Sequence, residues 1–191
     1  MGGLIVSRPH YVRIAPGKKL PDISSLAPFK AVVVLDTTYE PTWQDEVSQW
    51  LVGSGCFYMM AWGPDCSSWD DSVDYADMTR FPNYEIPDDK FVMTTWHDDE
   101  PLEEAFWYSQ FCANFSYNDV ELIDAVIVHV GSENREAELL SLFEQSKTLA
   151  DREDDEDEAQ ETFDWKEGLV VIRVAIALAI AIAISLYFTR R

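Results

Sequence analysis

Apolar positions change their period several times along this chain, and the changes mark its elements. Residues 1–29 sustain no period. Short β-like runs at 4–6 and 11–14 are broken by Pro9, Pro16, Pro21 and Pro28, which predicts an edge strand or hairpin followed by a loop wrapping the domain. From Lys30 a regular alternation sets in. Residues 31–35 (AVVVL) form the continuous apolar run of a strand covered on both faces, and Asp36 ends it. Pro41 and Thr42 open a helix in which Trp43, Val47, Trp50 and Leu51 share one stripe, closed by Gly53 and Gly55. A second strand, 56–62 (CFYMMAW), stops at Gly63-Pro64. Ser67 or Ser68 then caps a helix with Trp69, Val73 and Ala76 on one side. After a loop at 81–89, residues 91–96 (FVMTTW) read as a strand and 101–115 as a helix, acidic first and aromatic later. Residues 123–130 are the last strand and 133–147 the last helix. This alternation predicts a three-layer, Rossmann-like α/β domain over 30–150, with a mainly parallel four- to five-stranded sheet and right-handed crossovers.

Residues 169–188 (LVVIRVAIALAIAIAISLYF) follow another rule, with no polar face. At a rise of about 1.5 Å per residue they reach roughly 30 Å, the thickness of a bilayer's hydrocarbon core. Each large aliphatic favours insertion by roughly 0.3–0.6 kcal/mol, so twelve of them outweigh Arg173, which costs about 2.5–3.5 kcal/mol at mid-membrane. Arg173 also lies near one end, within reach of the interface. A transmembrane helix is therefore expected over 168–189, wetted by lipid along 169–188. Phe163 and Trp165 stand where interfacial aromatics belong. The stretch 151–167 leading to them is an acidic tether, since 151–161 holds eight acids and only Ala159 as an aliphatic. An acidic helix continuing the preceding one is the alternative. Ala175, Ala179 and Ala183 make a small-residue row through which the tail helix could form a homo-oligomer.

Charge narrows the partners. The chain carries a net −21, unevenly: residues 1–64 balance, while 65–104 hold thirteen acids against Arg80 and Lys90. A head this acidic repels phosphate backbones and anionic lipid surfaces, so nucleic acid is excluded as a partner and a protein partner is expected. Cys56, Cys66 and Cys112 are odd in number and show no pairing pattern, which suits a reducing compartment. The N-terminus lacks the charged start and long apolar run of a signal peptide. These features predict a tail-anchored, single-pass membrane protein with its N-terminal head in the cytoplasm. Charge on the two flanks of the tail is balanced and gives no orientation of its own.

In an open parallel sheet, ligands bind beyond the carboxyl ends of the strands. Those ends carry Asp36, then Asp65 and Cys66, then His97, Asp98, Asp99 and Glu100, and finally His129, Ser132 and Glu133. Asp36, Asp65, Asp70, Asp71, Asp98 and Glu100 are the candidate ligand-binding groups. Asp36, Asp65 and Asp98 offer hard oxygens to Mg²⁺ or Ca²⁺, and His97 a nitrogen to a softer ion. Cys66 with His97 is the candidate catalytic pair, a thiol needing a base, although surrounding carboxylates raise a thiol's pKa. The same residue types also cap helices and complement helix dipoles, and the aromatics nearby also suit a core. Neither GxGxxG nor GxxxxGK[ST] occurs, and no cofactor is assigned. The Asp36-Thr37-Thr38 opening resembles that of haloacid-dehalogenase-type phosphoryl-transfer enzymes, with Thr38 standing where their second Asp belongs.

Two stretches, AWGPDCSSWDDSVD (61–74) and FVMTTWHDDEPLEEAFWYS (91–109), carry a further likeness. They resemble a family of uncharacterised bacterial domains with AWGxDCxxWDDxVD and TTWHDDExLEEAFW blocks. The resemblance covers about 30–130 and implies a bacterial source and a Rossmann-like head, with no activity to carry over. The sequence thus supports a membrane-held α/β head that senses a ligand or binds a protein. Its alternative is a membrane-tethered hydrolase or metal-dependent enzyme using the Cys66, His97 and Asp rim.

Overall fold

Residues 29–35 are buried at every position, so their side chains leave the strand into apolar surroundings on both sides. That burial puts this strand in the middle of a sheet with helices on both faces. The computed structural model describes residues 9–113 and 122–149. Its five strands are β1 (His10–Ile14), β2 (Phe29–Leu35), β3 (Cys56–Trp62), β4 (Met93–His97) and β5 (Asp124–Val130). They pair in parallel throughout, in the order β1-β5-β2-β3-β4.

The helices divide between the two faces. Helix α1 (Pro41–Gly53) and α2 (Cys66–Met78) set Val47, Leu51, Trp69 and Val73 against Ala31, Val33, Met59 and Val128. Helix α3 (Leu102–Phe111) and α4 (Glu136–Gln145) set Leu102, Phe106, Leu139 and Phe143 against Val32, Val34, Met60 and Ile127. The period-two alternation of each strand feeds both cores, which is why these strands read as unbroken apolar runs.

Several boundaries differ from the sequence pattern, among them the end of α3, which stops at Phe111 where the pattern runs to 115. β1 belongs to the sheet, pairing with β5 from His10↔Val126 to Ile14↔Val130, so the sheet begins well before Lys30. Helix α2 opens at Cys66, after Asp65 in the left-handed region (φ 59°), and Ser68 turns its hydroxyl back to the Asp65 carbonyl (2.8 Å) instead of capping. β4 opens at Met93, because the Val92 N–H is taken by Asp77 Oδ2 (2.9 Å). Helix α4 opens at Glu136, and the residues before it form a loop over the end of β5. The expected tether and tail lie outside the described residues. Among the described residues, no helix is long and apolar enough to cross a membrane.

Asp77 fastens three segments at once. Buried at the end of α2, it pairs with Arg80 Nη2 (2.7 Å) and receives the Val92 N–H, while Arg80 Nη1 donates to the Val52 carbonyl at the end of α1 (3.1 Å). Removing the carboxylate strands a buried N–H and releases the guanidinium. Asp77→Ala should therefore lower unfolding free energy by about 3 kcal/mol in urea titrations, and Asp77→Asn by less, because its amide oxygen still accepts.

Candidate functional site

Strand continuations part between β3 and β4 as well as between β2 and β5, and the second of these places lies at the centre of the sheet. β2 leads into α1 on one face, whereas its neighbour β5 leads into α4 on the other. Adjacent strands whose continuations part in this way leave a crevice between them, where open α/β sheets bind ligands. Here Asp36 stands at the end of β2, and His129, Val130 and Gly131 stand at the end of β5.

The crevice is filled by the chain itself. His129 is fully buried, and its Nε2 lies 2.9 Å from Asp36 Oδ2. A carboxylate only accepts, so this nitrogen carries the proton. Nδ1 lies 2.8 Å from the Tyr11 hydroxyl, which donates to it when the ring is neutral. Arg135 closes the circuit from both ends, its guanidinium on Asp36 Oδ1 (2.8 Å) and its backbone N–H on the Tyr11 oxygen (3.4 Å). Its remaining donors grip Glu138 (2.6 and 3.0 Å), and the Glu138 and Asp36 pairings together hold the guanidinium's pKa above its ordinary value. Burial raises the Tyr11 hydroxyl's pKa, and also that of Tyr39, which donates to the Val130 carbonyl (2.8 Å).

Gly131 makes this approach possible. A Cβ there would fall inside the Asp36 carboxylate and 2.6 Å from His129 Nε2. Gly63 answers a similar demand at the end of β3. Its φ of 112° disfavours any L side chain, and a Cβ would overlap the Leu35 carbonyl oxygen.

His97 belongs to a second network, on the α3 face. Its Nδ1 pairs with Glu100 Oε1, its Nε2 lies 3.2 Å from Thr95 Oγ1, and its ring meets Tyr108 edge-on at 5.1 Å. The Tyr108 and Tyr58 hydroxyls are 2.8 Å apart, and burial raises the pKa of Tyr58. Trp62 Nε1 donates to the Glu100 carbonyl (2.9 Å). Cys66 sits across the sheet, buried in the α1–α2 core, where burial raises its thiol pKa. His97's ring nitrogens are thus engaged on the α3 face, away from the Cys66 core.

The acids do not converge either. Asp65, Asp71 and Asp98 are exposed, Asp70 is half-buried on α2, and Asp36 is held by His129 and Arg135. Among the described residues, no group of three or more His, Cys, Asp or Glu is placed to hold a metal ion. The structure also uses three groups that the sequence pattern left unassigned: Tyr11, Arg135 and Gly131. Gly131 directly after an apolar strand was the legible signal, and Arg135 is one of only two bases in 105–150.

One family model, described as Domain of unknown function (DUF7684), matches residues 9–146. The chain belongs to that family. The match covers β1 through α4, and so takes in the edge strand and last helix that lie outside the stretch of likeness seen in the sequence. No curated protein and no solved structure matches the chain.

Within this DUF7684 domain, Asp74 reports on the crowding of acids along α2. Its carboxyl pKa is raised by burial first, and then by Asp70, Asp71 and Asp77, against the hydrogen bond from Thr94 Oγ1 (2.9 Å). A carboxyl held above its unfolded pKa destabilises the fold once ionised. The penalty builds as pH rises from the unfolded value through the folded one and is complete above it. Asp74→Asn should raise the melting temperature at pH 7, and the gain should vanish as pH falls below the usual carboxylate range. Melting curves across that range check it.

Proposed function

We propose that this chain is a membrane-held binding module: an acidic α/β head that works by contacting a protein partner, tethered through 151–167 and anchored by 168–189, with the head in the cytoplasm. The observation that supports a binding role over a catalytic one is the closed circuit at the switch point. Tyr11, His129, Asp36 and Arg135 satisfy one another where a substrate would otherwise sit. His97 is likewise engaged by Glu100 and Thr95. The anchor rests on the apolar content of 169–188.

One observation favours a second reading, a membrane-tethered hydrolase. Carboxylate, imidazole and hydroxyl stand in series as Asp36, His129 and Tyr11, the order of a relay that activates a hydroxyl. In that reading the start of α4 must withdraw Arg135 before a substrate reaches the Tyr11 oxygen.

Alkaline carbonate extraction of membranes from cells making the full chain tests the anchor. The wild-type protein should stay with the lipid pellet, and the double variant Ile176→Glu, Ile180→Glu should move to the supernatant, since each buried charge costs about 2.5–3.5 kcal/mol. Wild-type protein found free of lipid without detergent would overturn the reading.

A further inference from the structure

Among the described residues, β4 closes one end of the sheet and pairs on one side only, with β3. Its register runs from Tyr58↔Met93 to Trp62↔His97 without a bulge. Proteins guard such an edge with lysine, proline, a bulge or a charge turned inward. β4 has none of these within its own span: its sequence is MTTWH. Instead it presents Trp96, 51% exposed, and Met93, 38% exposed, and neighbouring α2 adds Tyr75 at 60%. Strand alternation puts Met93 on the α3 side, in register with Tyr58, and Trp96 on the α1–α2 side, in register with Ala61. An unpaired edge therefore carries one apolar side chain on each side.

Charge surrounds this uncharged strand. The stretch 65–104 is a net −11, from thirteen acids and two bases. Exposed Asp98 and Asp99 follow β4 directly, and Asp74 reaches its middle through Thr94.

We propose that the β4 edge takes up an extended, basic segment of a partner protein, which adds to the sheet as a further strand, laying apolar residues beside Met93 and Trp96 and its Lys or Arg residues among the flanking acids. Backbone pairing supplies the attachment, and alternating side chains supply the selectivity. A second copy of this chain is a poor occupant, since it would bring the same acidic stretch against its like. The inference rests on the binding-module reading and names the chemistry of its partner. Burial first, and then the neighbouring Asp70, Asp71 and Asp77, raise the Asp74 pKa, and the acids' share is what an arriving cation would relieve.

The test uses the full-length protein and a synthetic peptide, KKVTTVKK, whose two valines, three residues apart, face opposite sides of a strand as Met93 and Trp96 do, against a scrambled peptide of the same composition with its lysines in one block. Fluorescence anisotropy gives affinity, and amide hydrogen exchange gives the site. The patterned peptide should bind more tightly than the scrambled one, slow exchange along 93–97, and weaken steeply with added salt. Trp96→Lys and Trp96→Ser should each reduce affinity by roughly tenfold or more, with unchanged circular dichroism. Equal binding of the scrambled peptide would reduce the effect to bulk charge and overturn the proposal. So would full affinity in Trp96→Lys. Protection on another surface would overturn the β4 site while leaving the binding-module reading intact. A peptide that binds nowhere overturns the basic-strand proposal, and the carbonate extraction then judges the anchored reading separately.

Discussion

The hydrogen bond between Asp36 and His129 joins two central strands whose connections diverge. β2 and β5 are paired along their whole length by backbone, yet their ends leave for opposite faces, and a crevice with polar walls would open between them. A fully buried imidazole needs partners for both nitrogens, and Asp36 and Tyr11 provide them. Tyr11 comes from β1 and Arg135 from the segment before α4, so the circuit fastens three neighbouring strands and the start of a helix at one point. Its buried members are fully satisfied, the condition under which a polar network specifies a fold instead of weakening it.

The two sequence blocks that mark the family acquire physical meanings from this frame. In the first, Trp62 donates its indole N–H to the Glu100 carbonyl, Gly63 allows β3 to pass the end of β2, and Trp69 fills the α1–α2 core. In the second, Thr95, His97 and Glu100 form one hydrogen-bonded row that meets Tyr58 and Tyr108 under α3. Both blocks tie the β3 and β4 ends to the helices that follow them. Chemistry-bearing residue types here serve position.

Much of the sheet was legible because β2, β3 and β5 are buried on both faces and must read as apolar runs. The limits of α1 and β3 follow directly from Pro41 and Gly63. The apolar pattern opens β4 two residues early, since Phe91 and Val92 continue it while a side-chain contact from Asp77 diverts the Val92 N–H. β1 was harder, because prolines dominate its surroundings and an edge strand needs few apolar positions. The site was less legible still. Acids near strand ends signal a rim, but whether they face a ligand or an internal partner depends on pairings 93 residues apart, as between Asp36 and His129. Cys66 and His97 are near one another in the rim order, yet α2 buries Cys66 in the core of one face while the pleat of β4 turns the His97 side chain to the other.

The closure of the β2–β5 crevice is the claim on which the proposed binding role stands. Chemical denaturation of Gly131→Ala tests it most directly. A methyl group there must separate Asp36 from His129, so the account predicts a loss of about 2–4 kcal/mol, overpacking added to a broken charged hydrogen bond and offset in part by the alanine's smaller unfolded-state entropy. A variant as stable as the parent would show that the crevice has room to spare, and would contradict the closed site.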